Sequence, residues 1–261
     1  MKKHPIAFVL ITVGFIATSS ATTLLLADNF NDNPNGDAST FNNNLASTQT
    51  GLLATTTYSV QGAAWTAQHS NGNRLLVATS NSWEGNGSVS LNNNFAVQAN
   101  AANQPLQISF NIEESAAYPS TDRWVQFNVG SSQHLDVGNG GVGVGIIFRV
   151  NGAAETTTGA AGTWAASDLI TITLTNTAGT GSAFNGNGSK ATVSVGATNF
   201  GTFTLAQQTN AFLTFSAFNY GNDQFGLGTF DNLSVSLIPE PSAALLAGLG
   251  LLGFLRRRRS H

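Results

Sequence analysis

Apolar and polar residues alternate over many short stretches in the middle of the chain. The apolar positions of these stretches lie within residues 106–112, 125–129, 142–150, 170–174, 193–195, 203–205, 213–215 and 233–237. Successive side chains of a β-strand point to opposite faces, so a period of two predicts strands with one buried face. The other face of each strand carries mainly Thr, Ser, Asn and Gln.

Glycine and asparagine separate these stretches. The turn signals lie at residues 71–73, 86–87, 139–141, 151–152, 185–188 and 220–223. Asn and Gly adopt the left-handed backbone conformations that tight hairpin turns need. Between the two ends of the chain, no ten-residue window has a helical period. The pattern predicts an all-β fold, an antiparallel β-sandwich or jelly roll.

The N-terminal end is typical of a secretion signal. Lys2 and Lys3 precede an apolar run over residues 6–17, and small residues lead up to Ala21. A basic start, a short apolar run and small residues before a cleavage site are the three parts of a signal peptide. We therefore expect a signal helix within residues 1–21, cleavage after Ala21, and export.

The C-terminal end predicts a temporary membrane anchor. Pro239, Glu240 and Pro241 precede an apolar run over residues 243–255, and four arginines follow it, namely Arg256, Arg257, Arg258 and Arg259. The prolines lack backbone donors, so the last strand has to end by Ile238. An all-apolar helix belongs in lipid, and the arginines hold its end on the cytoplasmic side. The predicted domains are residues 1–21, 22–238 and 239–261.

This tail resembles the PEP-CTERM sorting signal of Gram-negative bacteria that make exopolysaccharide. Its three parts are the Pro-Glu-Pro motif at Pro239, the apolar helix and the terminal arginine cluster, and all three stand in order. The resemblance implies an exosortase as partner, a membrane-embedded cysteine protease-transpeptidase that removes the tail. It also implies transient inner-membrane anchoring, followed by a place in the cell envelope, at the cell surface, or in a biofilm matrix.

The first and last predicted strands look like a matched pair. Asp28-Asn29-Phe30 opens the middle domain, and Asp231-Asn232-Leu233 stands near its end. This arrangement resembles the concanavalin A-like and laminin-G-like sandwiches that are often found ahead of PEP-CTERM tails. In those folds the first and last strands lie side by side, so we expect these two strands to be antiparallel neighbours.

The charge of the middle domain restricts the classes of molecule that it can bind. Residues 22–238 contain four Lys or Arg residues and twelve Asp or Glu residues, a net charge of −8. An acidic surface repels nucleic acid and anionic lipid, and it suits divalent cations or neutral glycans. The chain has no cysteine, which excludes thiol catalysis and thiolate metal ligation.

Calcium is the candidate cofactor. Asp28, Asp32 and Asp37 lie in or beside an Asx-rich early loop. Asp231 lies in the matching segment near the end of the middle domain. Calcium binds six to eight oxygens from carboxylates and carbonyls, so these residues are candidate ligands at the edge of the sandwich. The alternative is a set of Asx turns, in which the side chains accept hydrogen bonds from their own backbone.

The sequence offers few catalytic groups. Glu113 and Glu114 are consecutive, so in a strand they point to opposite faces and do not form the acid pair that a glycosidase needs. A serine hydrolase that used His134 as its base would need a nucleophile elbow of the Gly-x-Ser-x-Gly type, and the sequence contains none. Trp83 and Trp164 are candidate sugar-stacking residues, although core packing is the more common role of aromatic residues.

These observations favour an exported, non-enzymatic protein of the envelope or exopolysaccharide layer. Its expected role is structural or adhesive, with weak glycan binding. The alternative is a divergent polysaccharide-active enzyme on a concanavalin A-like fold. Acids converging in a groove favour the enzyme, whereas a shallow face lined with aromatic residues favours the binding protein.

Overall fold

The structure is a computed structural model. It describes residues 21–30, 48–61, 63–69, 72–78, 84–115, 123–130, 144–149, 153–156, 161–186, 188–205, 209–220 and 227–239. The stretch Thr22–Ile238 forms one compact unit. The predicted signal helix and the apolar C-terminal helix lie outside the described residues and stay predictions.

The described part of the compact unit is built almost entirely from β-strands. The strands are β1 (Thr23–Asp28), β2 (Tyr58–Gln61), β3 (Ala63–His69), β4 (Gly72–Ala78), β5 (Glu84–Leu91), β6 (Leu106–Ser115), β7 (Arg123–Gly130), β8 (Val144–Arg149), β9 (Ala153–Thr156), β10 (Ala161–Thr163), β11 (Asp168–Thr175), β12 (Ser189–Val195), β13 (Thr198–Leu205), β14 (Phe212–Tyr220) and β15 (Leu227–Leu237). One short helix, α1 (Ala96–Ala102), connects β5 to β6.

The strands form two sheets. An eight-stranded sheet has the order β13-β12-β11-β6-β15-β4-β3, with β1 also paired to β15. A seven-stranded sheet has the order β10-β9-β8-β7-β14-β5-β2. Neighbouring strands in both sheets are antiparallel, for example β11 with β6 and β14 with β7. This confirms the predicted all-β, antiparallel fold.

The two sheets face each other across an aromatic core. Phe110 on β6 and Phe230 on β15 come from the eight-stranded sheet, and Phe127 on β7 and Phe215 on β14 come from the seven-stranded sheet. All four side chains are fully buried. The ring centroids of Phe110 and Phe127 are 4.5 Å apart, and those of Phe215 and Phe230 are 4.7 Å apart. Contacts between the sheets therefore make the molecule a sandwich.

Alternation along single strands decides which face enters this core. On β11, Ile170, Ile172 and Leu174 are buried, while the threonines between them are half-buried. β12 repeats the pattern with Ala191, Val193 and Val195. Buried residues recur at every second position, as the alternation in the sequence predicts, so these predicted strands are confirmed.

The first and last strands are antiparallel neighbours, as predicted. Thr23 is paired with Leu237, and Asp28 with Leu233. β15 ends at Leu237, and the backbone N–H of Ile238 donates to the carbonyl of Pro105 at 3.0 Å. The expectation that the last strand ends by Ile238 is confirmed.

Two local features differ from the sequence-based expectations. The predicted turn at Asn86-Gly87 is wrong, because both residues lie inside β5 and are paired with Phe218 and Ala217 of β14. Pairing with a central strand outweighs the local turn preference of these residues. Helix α1 was not expected. It has seven residues, too few to give a period in a ten-residue window, and buries only Ala96 and Ala99.

Candidate functional site

The C-terminal sorting residues begin where the sandwich ends. Pro239 is half-buried and follows the last strand by two residues. The other predicted sorting residues, Glu240, Pro241 and the arginines at 256–259, lie outside the described residues. In the described part of the chain, no helix is both long and apolar enough to cross a membrane.

The carboxylate of Asp28 is the centre of a buried hydrogen-bond cluster at the end of β1. Its Oδ1 atom accepts bonds from the backbone N–H of Phe30 and from Thr48 Oγ1, both at 2.9 Å. Its Oδ2 atom accepts a bond from the hydroxyl of Tyr58 at 2.6 Å. Beside the cluster, Gln49 Nε2 donates to the carbonyl of Thr56 at 2.9 Å. The cluster therefore ties the two ends of the stretch between Phe30 and Thr48 to one carboxylate.

Burial and hydrogen bonding act in opposite directions on this acid. Asp28 is 1% exposed, and removal from water raises the pKa of its carboxyl above the usual value. The hydrogen bonds from Tyr58, Phe30 and Thr48 lower the pKa, but burial has the larger effect. The bond from the Phe30 backbone is an Asx turn, and Phe30 has a positive φ of 53°.

Protein donors bond to both oxygens of Asp28. Oδ1 accepts two hydrogen bonds and Oδ2 accepts one. At this residue the structure shows the Asx-turn alternative. Asp231 is half-buried, and its Oδ1 accepts a bond from the backbone of Asn232 at 2.7 Å.

The other predicted ligands, Asp32 and Asp37, lie outside the described residues. Within the described ranges, no three His, Cys, Asp or Glu side chains come together as a metal site. Calcium binding by the early loop therefore stays a prediction.

One of the two candidate sugar-stacking residues, Trp164, lies among the described residues. Trp164 is half-buried and packs against the hydrophobic core. Trp83 lies outside the described residues. Part of the Trp164 side chain is thus buried by core packing, which is the common role of aromatic residues.

The structure reveals a polar surface on the seven-stranded sheet that we did not single out from the sequence. We define the polar sheet face as six residues on the side away from the phenylalanine core. They are Ser88 and Ser90 on β5, Thr214 and Ser216 on β14, and Gln126 and Asn128 on β7. The backbone register places them in two rows across three neighbouring strands, Ser88–Ser216–Gln126 and Ser90–Thr214–Asn128.

Hydrogen bonds satisfy part of the polar sheet face. The hydroxyls of Ser90 and Thr214 are 2.8 Å apart and share a hydrogen bond. Gln126 Nε2 donates to Asn128 Oδ1 at 2.6 Å. Two buried oxygens in the other row have no hydrogen-bond partner, Ser216 Oγ and Gln126 Oε1. The polar sheet face is therefore a buried layer whose hydrogen bonding is incomplete at Ser216 and Gln126.

A family comparison decides the nature of the C-terminal tail. Residues 237–259 match the model of the PEP-CTERM protein-sorting motif. The chain ends in a PEP-CTERM sorting motif. This confirms the tail resemblance drawn from Pro239, Glu240 and Pro241 with the arginine cluster. The motif implies export, sorting to the cell envelope, and processing by an exosortase. No curated protein matches the sequence.

Comparison with solved structures concerns the sandwich. A carbohydrate esterase from the Shiga toxin-encoding bacteriophage phi24B is similar with a TM-score of 0.50 and 14% identity, over 84% of this chain and 100% of the other. The metal-free carbohydrate recognition domain of Emp46p has a TM-score of 0.46 and 9% identity, over 68% and 87%. The legume lectin-like domain from Entamoeba histolytica has a TM-score of 0.45 and 9% identity, over 70% and 90%. The first of these likenesses supports the fold alone.

Proposed function

We propose that this protein is an exported, exosortase-processed component of the envelope or exopolysaccharide layer, where its sandwich has a structural or adhesive role. The sorting motif at residues 237–259 is the observation that carries the proposal. A sorting tail delivers its domain to the outside of the cell, so the function of the domain has to be performed there. Weak binding of the surrounding glycan is the adhesive activity that we propose.

The chemistry of the middle domain suits this role. With four basic and twelve acidic residues, the domain has a net charge of −8 and repels anionic partners. Neutral glycans carry no charge for this field to repel. Their hydroxyl groups are recognised by uncharged hydrogen-bonding side chains, and the domain is rich in Ser, Thr, Asn and Gln.

We propose a non-enzymatic role for the domain. Among acids whose side chains are described, Asp28 is buried and bonded to protein donors, while Asp168 accepts a bond from the backbone of Ala165 at 2.7 Å. A glycosidase needs two carboxyl groups across the scissile bond.

The alternative function is a polysaccharide-active enzyme. The phage protein with a similar fold is described as a carbohydrate esterase, which gives this alternative a concrete reaction to test. Release of acetate from an acetylated polysaccharide by the purified protein, at a rate proportional to protein concentration, would support the enzyme. Undetectable release, with the polysaccharide still bound, would support the adhesive role.

Fractionation of a host that carries an exosortase tests the proposal directly. We expect the protein in the extracellular polysaccharide fraction, and we expect release from it when the polysaccharide is enzymatically degraded. A matched variant with both prolines replaced, Pro239→Ala and Pro241→Ala, should stay in the inner-membrane fraction. A wild-type protein that stays in the membrane fraction, or that is free in the medium regardless of polysaccharide, would contradict the proposal.

A further inference from the structure

The chain enters and leaves the sandwich at the same end. β1 begins at Thr23, which is paired with Leu237, the last residue of β15. On its other side Leu237 is paired with Leu106, the first residue of β6. The sorting tail therefore starts at the end of the sandwich that also follows the predicted cleavage site after Ala21. We call this the tail-side end.

Several connections between strands meet at the tail-side end. The backbone N–H of Leu52 donates to the carbonyl of Leu24 at 3.3 Å, and the N–H of Phe95 donates to the carbonyl of Ala211 at 3.1 Å. β11 reaches the same end, because Leu174 is paired with the first residue of β6. The described connections of the tail-side end are residues 51–57, 92–105, 176–186 and 209–211.

The described part of the tail-side end is uncharged, although the domain is acidic. Its four stretches contain no Asp, Glu, Lys or Arg, whereas residues 22–238 contain twelve acids. Lys190 of β12, paired with Thr175 of β11, adds a positive charge beside them. Residues 131–143, which join β7 to β8 and include Asp136, lie outside the described residues. Several acids stand towards the opposite ends of their strands; they are Glu84 at the start of β5, Glu113 and Glu114 near the end of β6, and Asp168 at the start of β11.

Exposed apolar side chains also gather at the tail-side end. Leu24 is 38% exposed, Leu52 is 70% exposed, and Val97 of α1 is 60% exposed. Leu169, another large apolar residue that is exposed, lies at the opposite end of the sandwich beside Asp168. Single exposed apolar residues are ordinary, but three of them on an uncharged surface are typical of a surface that meets a partner.

We propose that the tail-side end is a membrane-docking surface, which lies on the lipid bilayer for as long as the sorting tail is embedded in that bilayer. Leu24, Leu52 and Val97 would enter the headgroup layer, and the acidic end of the sandwich would point away from the membrane. This inference rests on the tail acting as a temporary anchor, as in the proposed function, and it assigns a role to the sandwich during that stage.

The length of the chain between sandwich and membrane limits their separation. Only residues 239–242 stand between Ile238 and the apolar run that begins at Ala243. Four residues span at most about 14 Å when fully extended. The headgroup layer on one side of a bilayer is about 5–7 Å thick, so the tail-side end is held within about 9 Å of the membrane surface. The prolines at 239 and 241 further restrict the link.

The chemistry of the two ends of the sandwich decides which one can approach a membrane. Anionic headgroups repel acidic side chains, so an end that carries Glu113, Glu114 and Asp168 is disfavoured there. The headgroup boundary accepts leucine and valine side chains among uncharged polar groups. Lys190 adds attraction to anionic lipid. Charge, apolar exposure and chain length therefore all favour the same end.

Single cysteines test the docking surface, because the chain has no cysteine of its own. Leu52→Cys and Val97→Cys place a thiol at the tail-side end, and Leu169→Cys, also at an exposed leucine, is the matched control at the opposite end. Each thiol carries a polarity-sensitive fluorophore. The full chain, purified with its tail from a host without exosortase, is reconstituted into vesicles of phosphatidylethanolamine and phosphatidylglycerol that contain a lipid with a spin-labelled headgroup as quencher.

The fluorophore at Leu52→Cys and at Val97→Cys should emit at shorter wavelength in vesicles than in detergent, and the spin-labelled lipid should quench it. The fluorophore at Leu169→Cys should show neither effect. A second substitution, Leu52→Asp, puts a charge on the docking surface and should reduce the quenching of the label at Val97→Cys. Leu169→Asp should leave that quenching unchanged. Equal urea midpoints of unfolding for all variants show that the fold is kept.

Several outcomes would overturn the docking surface. Equal quenching at all three positions, or stronger quenching at Leu169→Cys, would show that the tail-side end does not face the lipid. Quenching at Leu52→Cys that requires added exosortase would make the enzyme the partner in place of the bilayer. Protein that does not float with the vesicles would refute the anchor itself, and with it both proposals. Normal quenching, with the protein absent from the polysaccharide fraction of the host, would contradict only the adhesive role.

Discussion

The buried carboxylate of Asp28 gives the sharpest stability prediction. Tyr58→Phe removes the hydroxyl that donates to Asp28 Oδ2 at 2.6 Å and keeps the ring. The ring of Tyr58 lies 6.3 Å from that of Phe30, and this contact remains in the variant. The substitution therefore isolates one hydrogen bond at the end of β1.

The size of the effect follows from the charge of the acceptor. A hydrogen bond to a charged group contributes about 1.5–3 kcal/mol to stability, against about 1 kcal/mol for a neutral pair. Asp28 is 1% exposed, so water cannot replace the lost donor fully. We expect Tyr58→Phe to lower the free energy of unfolding by about 2 kcal/mol at a pH above the raised pKa of Asp28, where the carboxyl is ionised.

The effect should depend on pH. Burial raises the pKa of Asp28 in the folded state, and the Tyr58 hydrogen bond opposes that rise. Removing the hydroxyl should raise the pKa further. At acidic pH the carboxyl is protonated, the bond becomes a neutral one, and the cost of Tyr58→Phe should shrink to about 1 kcal/mol.

Urea unfolding followed by tryptophan fluorescence, at several pH values, measures both quantities. Ser59→Ala is a suitable control, because the Ser59 hydroxyl bonds to exposed Asn92 at 2.6 Å, whereas the donors to Asp28 are Phe30, Thr48 and Tyr58. A loss below about 0.5 kcal/mol for Tyr58→Phe above the raised pKa of Asp28, or a loss independent of pH, would refute the reasoning about a charged, buried acceptor.

The remaining predictions concern the core, the titration of Asp28, and calcium. Phe215→Ala should lower the free energy of unfolding by about 3–5 kcal/mol, because it opens a cavity between Phe127 and Phe230; a loss under 1 kcal/mol in urea unfolding would contradict that packing. The pKa of Asp28 is raised in the folded state, so the free energy of unfolding of the wild type should fall as pH rises from the ordinary aspartate pKa through the raised one. Asp28→Asn should flatten this dependence on pH, and an equal dependence in both proteins would count against the raised pKa. If the early loop binds calcium through Asp32 and Asp37, millimolar calcium should raise the melting temperature relative to chelator, and identical melting curves would leave the Asx-turn interpretation.

Much of the fold is predictable because burial follows local alternation. The strands around Ile108, Ile172 and Val193 alternate cleanly, and each of these residues is fully buried. The pairing of β1 with β15 was predictable from the matched Asp-Asn segments and from the habit of sandwich termini to lie together. The end of β15 at Leu237 follows from the missing backbone donors of the prolines.

Other elements escape prediction because tertiary pairing overrides local preference. β5 contains glycine and asparagine, residues of low strand propensity, and it is held by β14 on one side and β2 on the other. Helix α1 is short and rich in alanine, and the burial of Ala96 and Ala99 depends on tertiary packing. Neither feature is encoded in a short sequence window.

The polar sheet face could be predicted only in part. The alternation Thr214-Phe215-Ser216-Ala217 indicates which side of β14 is polar. It does not indicate that this side is enclosed, because the same residue types form the half-exposed face of β11 and β12. Burial of a polar face is set by the surrounding tertiary structure, and the pairing of Ser216 with Gln126 depends on the register between β7 and β14.

The central claim is that the C-terminal tail is a sorting signal that is removed during export. The measurement is C-terminal peptide mass spectrometry of protein recovered from the cell surface of a host with an exosortase, beside protein from the same host lacking the enzyme. The account predicts that the mature protein lacks the residues after Pro239-Glu240-Pro241, and that the strain without exosortase keeps them. Intact Arg256 to Arg259 on surface protein of the first strain would contradict it.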